Sequence, residues 1–67
     1  MEDIVVNGAP RSVPAGTTVL GLLRTLEIDP ARVAVELDRT ILKAPNWEKT
    51  ELRAGARVEI VHFVGGG

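Results

Sequence analysis

The sequence lacks cysteine and tyrosine, and its 67 residues include only one histidine, one tryptophan and one phenylalanine. Without cysteine the chain can form no disulfide, thiolate metal site or cysteine nucleophile, so packing alone must stabilise it. The absence of disulfides fits a reducing compartment, and we expect a cytoplasmic protein. A chain of this length is one domain, close to the lower limit at which a hydrophobic core suffices.

The sequence also lacks a large excess of charge of either sign and long apolar runs. Eight Lys and Arg oppose nine Asp and Glu, and neither sign forms a block or combines with an aromatic run suited to nucleic acid. No apolar stretch approaches the roughly 20 residues of a membrane span, and Met1-Glu2-Asp3 is acidic where a signal peptide would be basic. We therefore expect a soluble, untargeted protein that binds neither nucleic acid nor membrane.

The residues of a catalytic or metal site are absent from the sequence as well. It has no glycine-rich phosphate loop between a strand and a helix and no carboxylate cluster with metal-ligand spacing. The single histidine, His62, stands among apolar residues without a second polar group, which favours a structural or partner-contacting role over acid–base work. The sequence predicts a protein that is not an enzyme and that binds no metal or cofactor itself.

The first half of the chain predicts a hairpin followed by one helix. The β-branched run Ile4 to Val6 leads into Asn7-Gly8, a dipeptide typical of tight hairpin turns, and a return strand is expected at about Pro10 to Val13. The helix is expected over about Thr18 to Leu26, with a threonine N-cap. Its apolar residues follow the spacing i, i+3, i+4 and i+7 of one buried face: Val19, Leu22, Leu23 and Leu26.

The second half predicts three strands. Apolar residues alternate with other side chains over Val33 to Leu37, and Asp38-Arg39 turns the chain into a short strand, Thr40 to Leu42. An irregular segment or single helical turn then places Trp47 as a lid over one end of the core. The longest β-favouring run, Arg57 to Val64, closes the domain.

This last strand is apolar on both faces, which is typical of a central strand or of a strand with one face covered by a partner. Val58 and Ile60 point one way with His62, whereas Glu59, Val61 and Phe63 point the other way. The element order favours an α+β fold of the β-grasp type, a mixed sheet of four to five strands packed on one helix. We expect residues 1–64 to form this domain and residues 65–67 to form a flexible tail.

The tail itself is Gly65-Gly66-Gly67. Glycines can extend into a channel too narrow for side chains, and they leave the carboxylate of Gly67 sterically open. The alternative is that a short glycine run is a fraying end or a cloning scar. An ionised carboxylate is a weak nucleophile that could attack the α-phosphate of ATP inside a partner enzyme. The acyl-adenylate could then pass to an amine or to sulfide, and both outcomes stay open at this point.

The sequence resembles the small sulfur carriers of thiamine thiazole biosynthesis (ThiS type), within the ubiquitin-like β-grasp superfamily. The most specific similarity is Gly55 to Gly67, and the rest of the chain supports it. Supporting segments are Val6-Asn7-Gly8, Gly16-Thr17-Thr18-Val19-Leu20, Val33-Ala34-Val35-Glu36-Leu37, and Trp47 with Thr50 and Leu52. Three loop segments depart from the family's pattern: Asp38-Arg39 in place of an Asn-Gly turn, Ala56 after Gly55, and Leu42-Lys43-Ala44-Pro45.

The resemblance implies that Gly67 is the residue that becomes adenylated and thiocarboxylated, with Gly65 and Gly66 as a threading tail. It implies three partners: an E1-like adenylyltransferase of the ThiF type that uses ATP, a thiazole synthase of the ThiG type, and a sulfur donor protein. Val61 and Phe63, with Leu42, would dock the activating enzyme, although core packing explains the same residues. The alternatives are a molybdopterin-synthase small subunit, a ubiquitin-like modifier, or an interaction domain with an inert tail.

Overall fold

A computed structural model describes residues 1–64; Gly65, Gly66 and Gly67, with the flexible tail predicted for them, lie outside the described residues. One helix packs on a five-stranded mixed sheet, as the α+β prediction requires. The elements in chain order are β1 (Glu2–Val6), β2 (Ala9–Val13), α1 (Val19–Thr25), a 3₁₀ turn (Pro30–Arg32), β3 (Val33–Leu37), β4 (Thr40–Leu42), a second 3₁₀ turn (Ala44–Asn46) and β5 (Arg57–His62).

The strand order across the sheet is β2-β1-β5-β3-β4, so the last strand of the chain is the central one. β5 runs parallel to β1, and the other neighbouring strands pair antiparallel. The pairing with β1 is short, covering only Arg57 and Val58 of β5, whereas β3 pairs with β5 over Val58 to His62. The predicted central position of the last strand is confirmed.

The helix begins where the sequence places it. Thr18 is the N-cap, with extended backbone, and its hydroxyl oxygen accepts the N–H of Gly21 at 3.0 Å. Val19, Leu22 and Leu23 are completely buried against the sheet. Since these residues share one face of α1, the helix packs on the sheet through the apolar stripe that its sequence periodicity predicts.

The core lies between α1 and one face of the sheet. Its buried members are Ile4, Val13, Val19, Leu22, Leu23, Val33, Val35, Trp47, Leu52, Ala56, Val58 and Ile60. Trp47 is buried in this core, and its indole N–H donates to the carbonyl oxygen of Leu42 at 2.7 Å. The 3₁₀ turn before Trp47 supplies the local helical turn that was expected in this segment.

The structure differs from the sequence prediction at the end of the last strand. β5 ends at His62, two residues before the predicted end at Val64. The Phe63 N–H still donates to the Arg32 carbonyl oxygen at 2.9 Å, but Arg32 belongs to the 3₁₀ turn before β3. β5 therefore ends at His62 because this residue lies opposite Val33, the first residue of β3, and the β-favouring residues that follow have no strand partner.

Candidate functional site

The described residues that lead to the glycine end differ sharply in exposure. On the core side of β5, Val58 and Ile60 are buried. On its outer side, Val61 is 56% exposed. Beyond the end of the strand, Phe63 is 65% exposed and Val64 is almost fully exposed. The alternation predicted for this strand is confirmed, and it leaves bulky apolar side chains on the surface directly before Gly65.

A second strand contributes to the same outer face of the sheet. In the pairing register Ala34 of β3 lies opposite Val61, and the next outward-facing position of β3, Glu36, lies opposite Ile41 of β4. Ile41 is 71% exposed. We call Ile41, Val61 and Phe63 the outer apolar patch. Exposed apolar residues that share a face commonly mark a site of protein–protein contact.

Leu42 occupies a different environment from the other two predicted docking residues. The register places it opposite Val35, a buried core residue, and Leu42 is itself half-buried against the core. Val61 and Leu42 therefore point to opposite faces of the sheet. The apolar residue of β4 on the outer face is Ile41, which was not among the docking residues predicted from the sequence.

A groove nevertheless brings Leu42 and Phe63 to one place. It has a volume of about 360 Å³ and lies at the sheet edge where the chain leaves β4. Its walls are mainly apolar and include Ile41, Leu42, Ala34, Trp47 and Phe63. The groove is therefore continuous with the outer apolar patch through Ile41 and Phe63, and the docking role of Leu42 stays a prediction.

The predicted reactive and threading residues Gly67, Gly66 and Gly65 lie outside the described residues, so their roles also stay predictions. His62 is exposed and lies opposite Val33 in the register with β3. Within residues 1–64 there is no group of three or more His, Asp or Glu side chains placed to hold a metal ion. Over the same range, no helix is long and apolar enough to cross a bilayer.

The sheet is mixed, its first and last strands are parallel neighbours, one helix packs on one face, and the last strand precedes the glycines in sequence. This combination defines a ubiquitin-like β-grasp domain. Two solved structures share this arrangement. A crystal structure of a thiamine biosynthesis protein (ThiS) from Geobacter metallireducens superposes with a TM-score of 0.84 at 32% sequence identity, covering 97% of this chain and 99% of that chain. An NMR structure of a thiamine biosynthesis protein from the same organism gives 0.77 at 34% identity, covering 97% and 87%.

The chain belongs to the ThiS family, whose sequence profile matches residues 4–67. Proteins named thiazole synthase from Magnetococcus marinus and Paramagnetospirillum magneticum are 39% and 38% identical over 64 residues, which are 96% of this chain. The chain spans about a fifth of the length of these two relatives, 20% of each. The uncharacterized protein ycf40 of Porphyra purpurea is 31% identical over 65 residues, covering 97% of this chain and 92% of that protein.

Proposed function

We propose that this protein is a sulfur carrier for formation of the thiamine thiazole, and that it acts as a co-substrate of partner enzymes. The observation that carries the proposal is the extent of the family match, which runs from residue 4 through Gly67 and so includes the glycine end. Names of similar proteins point the same way, since they mention thiamine biosynthesis and thiazole synthase. This function requires no catalytic side chain in the carrier.

The proposed chemistry takes place at the carboxylate of Gly67. In an activating enzyme of the ThiF type, a carboxylate oxygen attacks the α-phosphorus of ATP, pyrophosphate leaves, and an acyl-adenylate forms. Thiols reduce the persulfide of a sulfur donor protein and become a disulfide, and the sulfide so released attacks the acyl carbon. AMP leaves, and the thiocarboxylate remains. A thiazole synthase of the ThiG type accepts this sulfur. ATP is consumed by the partner, so the carrier holds no cofactor, and a cytoplasmic setting supplies the partners and the nucleotide.

Glycine suits all three terminal positions in this scheme. A side chain next to the acyl carbon would hinder attack on the adenylate, and side chains at residues 65 and 66 would widen the segment that must enter the partner's active site. Gly65 and Gly66 therefore act as the threading segment, and Gly67 supplies the reacting group.

The outer apolar patch is the proposed docking surface for the activating enzyme. Val61 lies on β5 and Phe63 directly follows that strand, on the segment that leads to the glycines, and Ile41 extends the patch across the sheet. Apolar side chains at the centre of an interface are the usual source of affinity, with polar residues around them. Leu42 contributes through the groove that it shares with Phe63.

The proposal is tested by intact-mass spectrometry of the 67-residue protein after incubation with ATP, its activating enzyme and a sulfur donor. We expect a product heavier by the difference between one sulfur and one oxygen atom. Omitting ATP should prevent the change. An unchanged mass with an activating enzyme shown to be active on another carrier would contradict the proposal, and lysine-linked conjugates in its place would identify a protein modifier.

Gly67 gives the sharpest variant. We expect deletion of Gly67, or Gly67→Ala, to abolish thiocarboxylate formation, because the reacting carboxylate is displaced or hindered. The melting temperature should stay within about 2–4 °C of the parent value, since within residues 1–64 the buried core contains no residue beyond Ile60 and surface changes rarely alter stability by more than about 0.5 kcal/mol. A large fall in melting temperature would show that the glycines stabilise the fold.

A further inference from the structure

Two hairpin turns hold the central strand β5 through their side chains. Asn7 begins the turn between β1 and β2, and Asp38 begins the turn between β3 and β4. Both adopt left-handed backbone conformations, with φ of 49° and 50°. The Asp38 carboxylate accepts the N–H of Arg57, at the start of β5, at 2.9 Å. The Asn7 side chain reaches the second half of β5 instead.

The contact of Asn7 with β5 resembles one more residue of strand pairing. The backbone N–H of Asn7 donates to the Val58 carbonyl oxygen at 2.8 Å. Two positions further along β5, the Asn7 side-chain oxygen accepts the Ile60 N–H at 2.7 Å, and the Asn7 Nδ2 group donates to the Ile60 carbonyl oxygen at 3.2 Å. A carboxamide carries the same donor and acceptor as a peptide group, so it can replace one in a ladder.

This replacement occurs where β1 leaves the sheet. β1 pairs with β5 only at Arg57 and Val58, and the chain then turns away at Asn7 and Gly8. The carboxamide of Asn7 extends support on this side of β5 to Ile60, opposite the side on which β3 pairs. Ile60 is thereby held from both sides, directly before the exposed residues that lead to the glycines.

We propose that Asn7 is a positioning residue for activation of the Gly67 carboxylate, because its carboxamide holds β5 at Ile60, beyond the end of the pairing with β1. The inference rests on the proposed function. The extended segment from Ile60 to Phe63 is about 10 Å long, so a tilt of about 10° at Ile60 moves Phe63, a residue of the outer apolar patch, by about 2 Å. For a docked domain such a shift is large, since a misplacement of about 1 Å can lower a reaction rate about 100-fold.

Asp38 provides a matched control, because both turn residues have left-handed φ values that glycine adopts without strain. Asn7→Gly removes the side-chain bonds near the exit of β5, and Asp38→Gly removes the bond near its start. With the activating enzyme, ATP and a sulfur donor, we expect Asn7→Gly to lower kcat for thiocarboxylate formation about tenfold. Its KM should change less than about twofold because the outer apolar patch is intact, and Asp38→Gly should leave both constants within about twofold.

A second variant covers the case in which Asn7→Gly does not fold. Asn7→Asp keeps the oxygen that accepts the Ile60 N–H and loses the group that donates to the Ile60 carbonyl, so a smaller fall in kcat is expected. All assays are made well below the melting temperature of each variant. Amide hydrogen exchange, followed by NMR, should be faster at Ile60 in Asn7→Gly than in the parent protein, and slower in Asn7→Asp than in Asn7→Gly.

The outcomes separate the two proposals. If the parent protein is not converted, the proposed function fails, and this inference fails with it. If the parent is converted, parental kcat in the folded Asn7 variants overturns the inference alone. Equal losses of kcat in Asn7→Gly and Asp38→Gly also overturn it, because they would reflect general loosening of the sheet and not the support of β5 at Ile60.

Discussion

The two faces of β5 use similar side chains for different purposes. Val58 and Ile60 face α1 and are buried, whereas Val61 and Phe63 face outward and are more than half exposed. Hydrophobicity does not distinguish the two sets, because all four side chains are bulky and apolar. The difference lies in what the rest of the chain places over each face. One face is completed by the helix, and we propose that the other is completed by a partner protein.

The largest effect that distinguishes the two faces of β5 is expected when neighbouring residues of the strand are replaced by alanine. We expect Ile60→Ala to lower the free energy of unfolding by about 2–4 kcal/mol, because it removes buried atoms and leaves a cavity in the core. Val61→Ala, one residue along, should cost less than about 0.5 kcal/mol. Urea unfolding of both variants measures the difference. Similar losses at the two positions would show that the outer face contributes to the core after all.

A smaller effect is expected from charging the outer face. Phe63→Asp should raise the KM of the activating enzyme about tenfold, because an unpaired carboxylate would be buried on docking. The melting temperature should stay near the parental value, since Phe63 is 65% exposed. Ala9→Asp is the control, because it adds the same charge on the exposed edge strand β2. An equal rise in KM for both variants would point to overall charge and against a docking role for Phe63.

The smallest effect is expected at Trp47, which lines the groove shared by Leu42 and Phe63. Trp47→Phe removes the hydrogen bond to the Leu42 carbonyl and should cost about 1–2 kcal/mol of stability. Because Trp47 lines the groove through which Leu42 is proposed to contribute to docking, the KM of the activating enzyme should rise about two- to threefold. An unchanged KM would show that Leu42 acts in the core alone. Denaturant unfolding and the thiocarboxylation assay give both quantities.

Local sequence patterns predict most of this architecture. The apolar stripe of α1, the alternation in β3 and the alternation in β5 each depend on residues a few positions apart, so they can be read without knowledge of the fold. The same patterns fail where neighbours are alike. In Thr40-Ile41-Leu42 two adjacent residues are apolar, so periodicity alone does not say which one faces the core. The pairing of Leu42 with Val35 decides it.

The turn at Asp38-Arg39 shows a second limit of local reasoning. An Asn-Gly pair would be the expected sequence for this turn, and Arg39 instead adopts a left-handed φ of 70°. The Asp38 side chain is bonded to the Arg57 N–H, and the Asp38 N–H donates to the Arg57 carbonyl oxygen. These contacts with β5 hold the turn, and they involve a residue 19 positions away.

The sequence is sufficient to locate the strands and the helix, and to raise the hypothesis that Gly67 is the reacting residue. Those conclusions depend on the chemistry of single residues and on periodicity over a few positions. The exposure of Ile41 and the two hydrogen bonds between Asn7 and Ile60 are seen only in the tertiary structure. Asn7 and Ile60 are 53 positions apart, and no local pattern links them. They meet because the first and last strands lie side by side at the centre of the sheet, where a turn residue comes to support the strand that leads to the glycines.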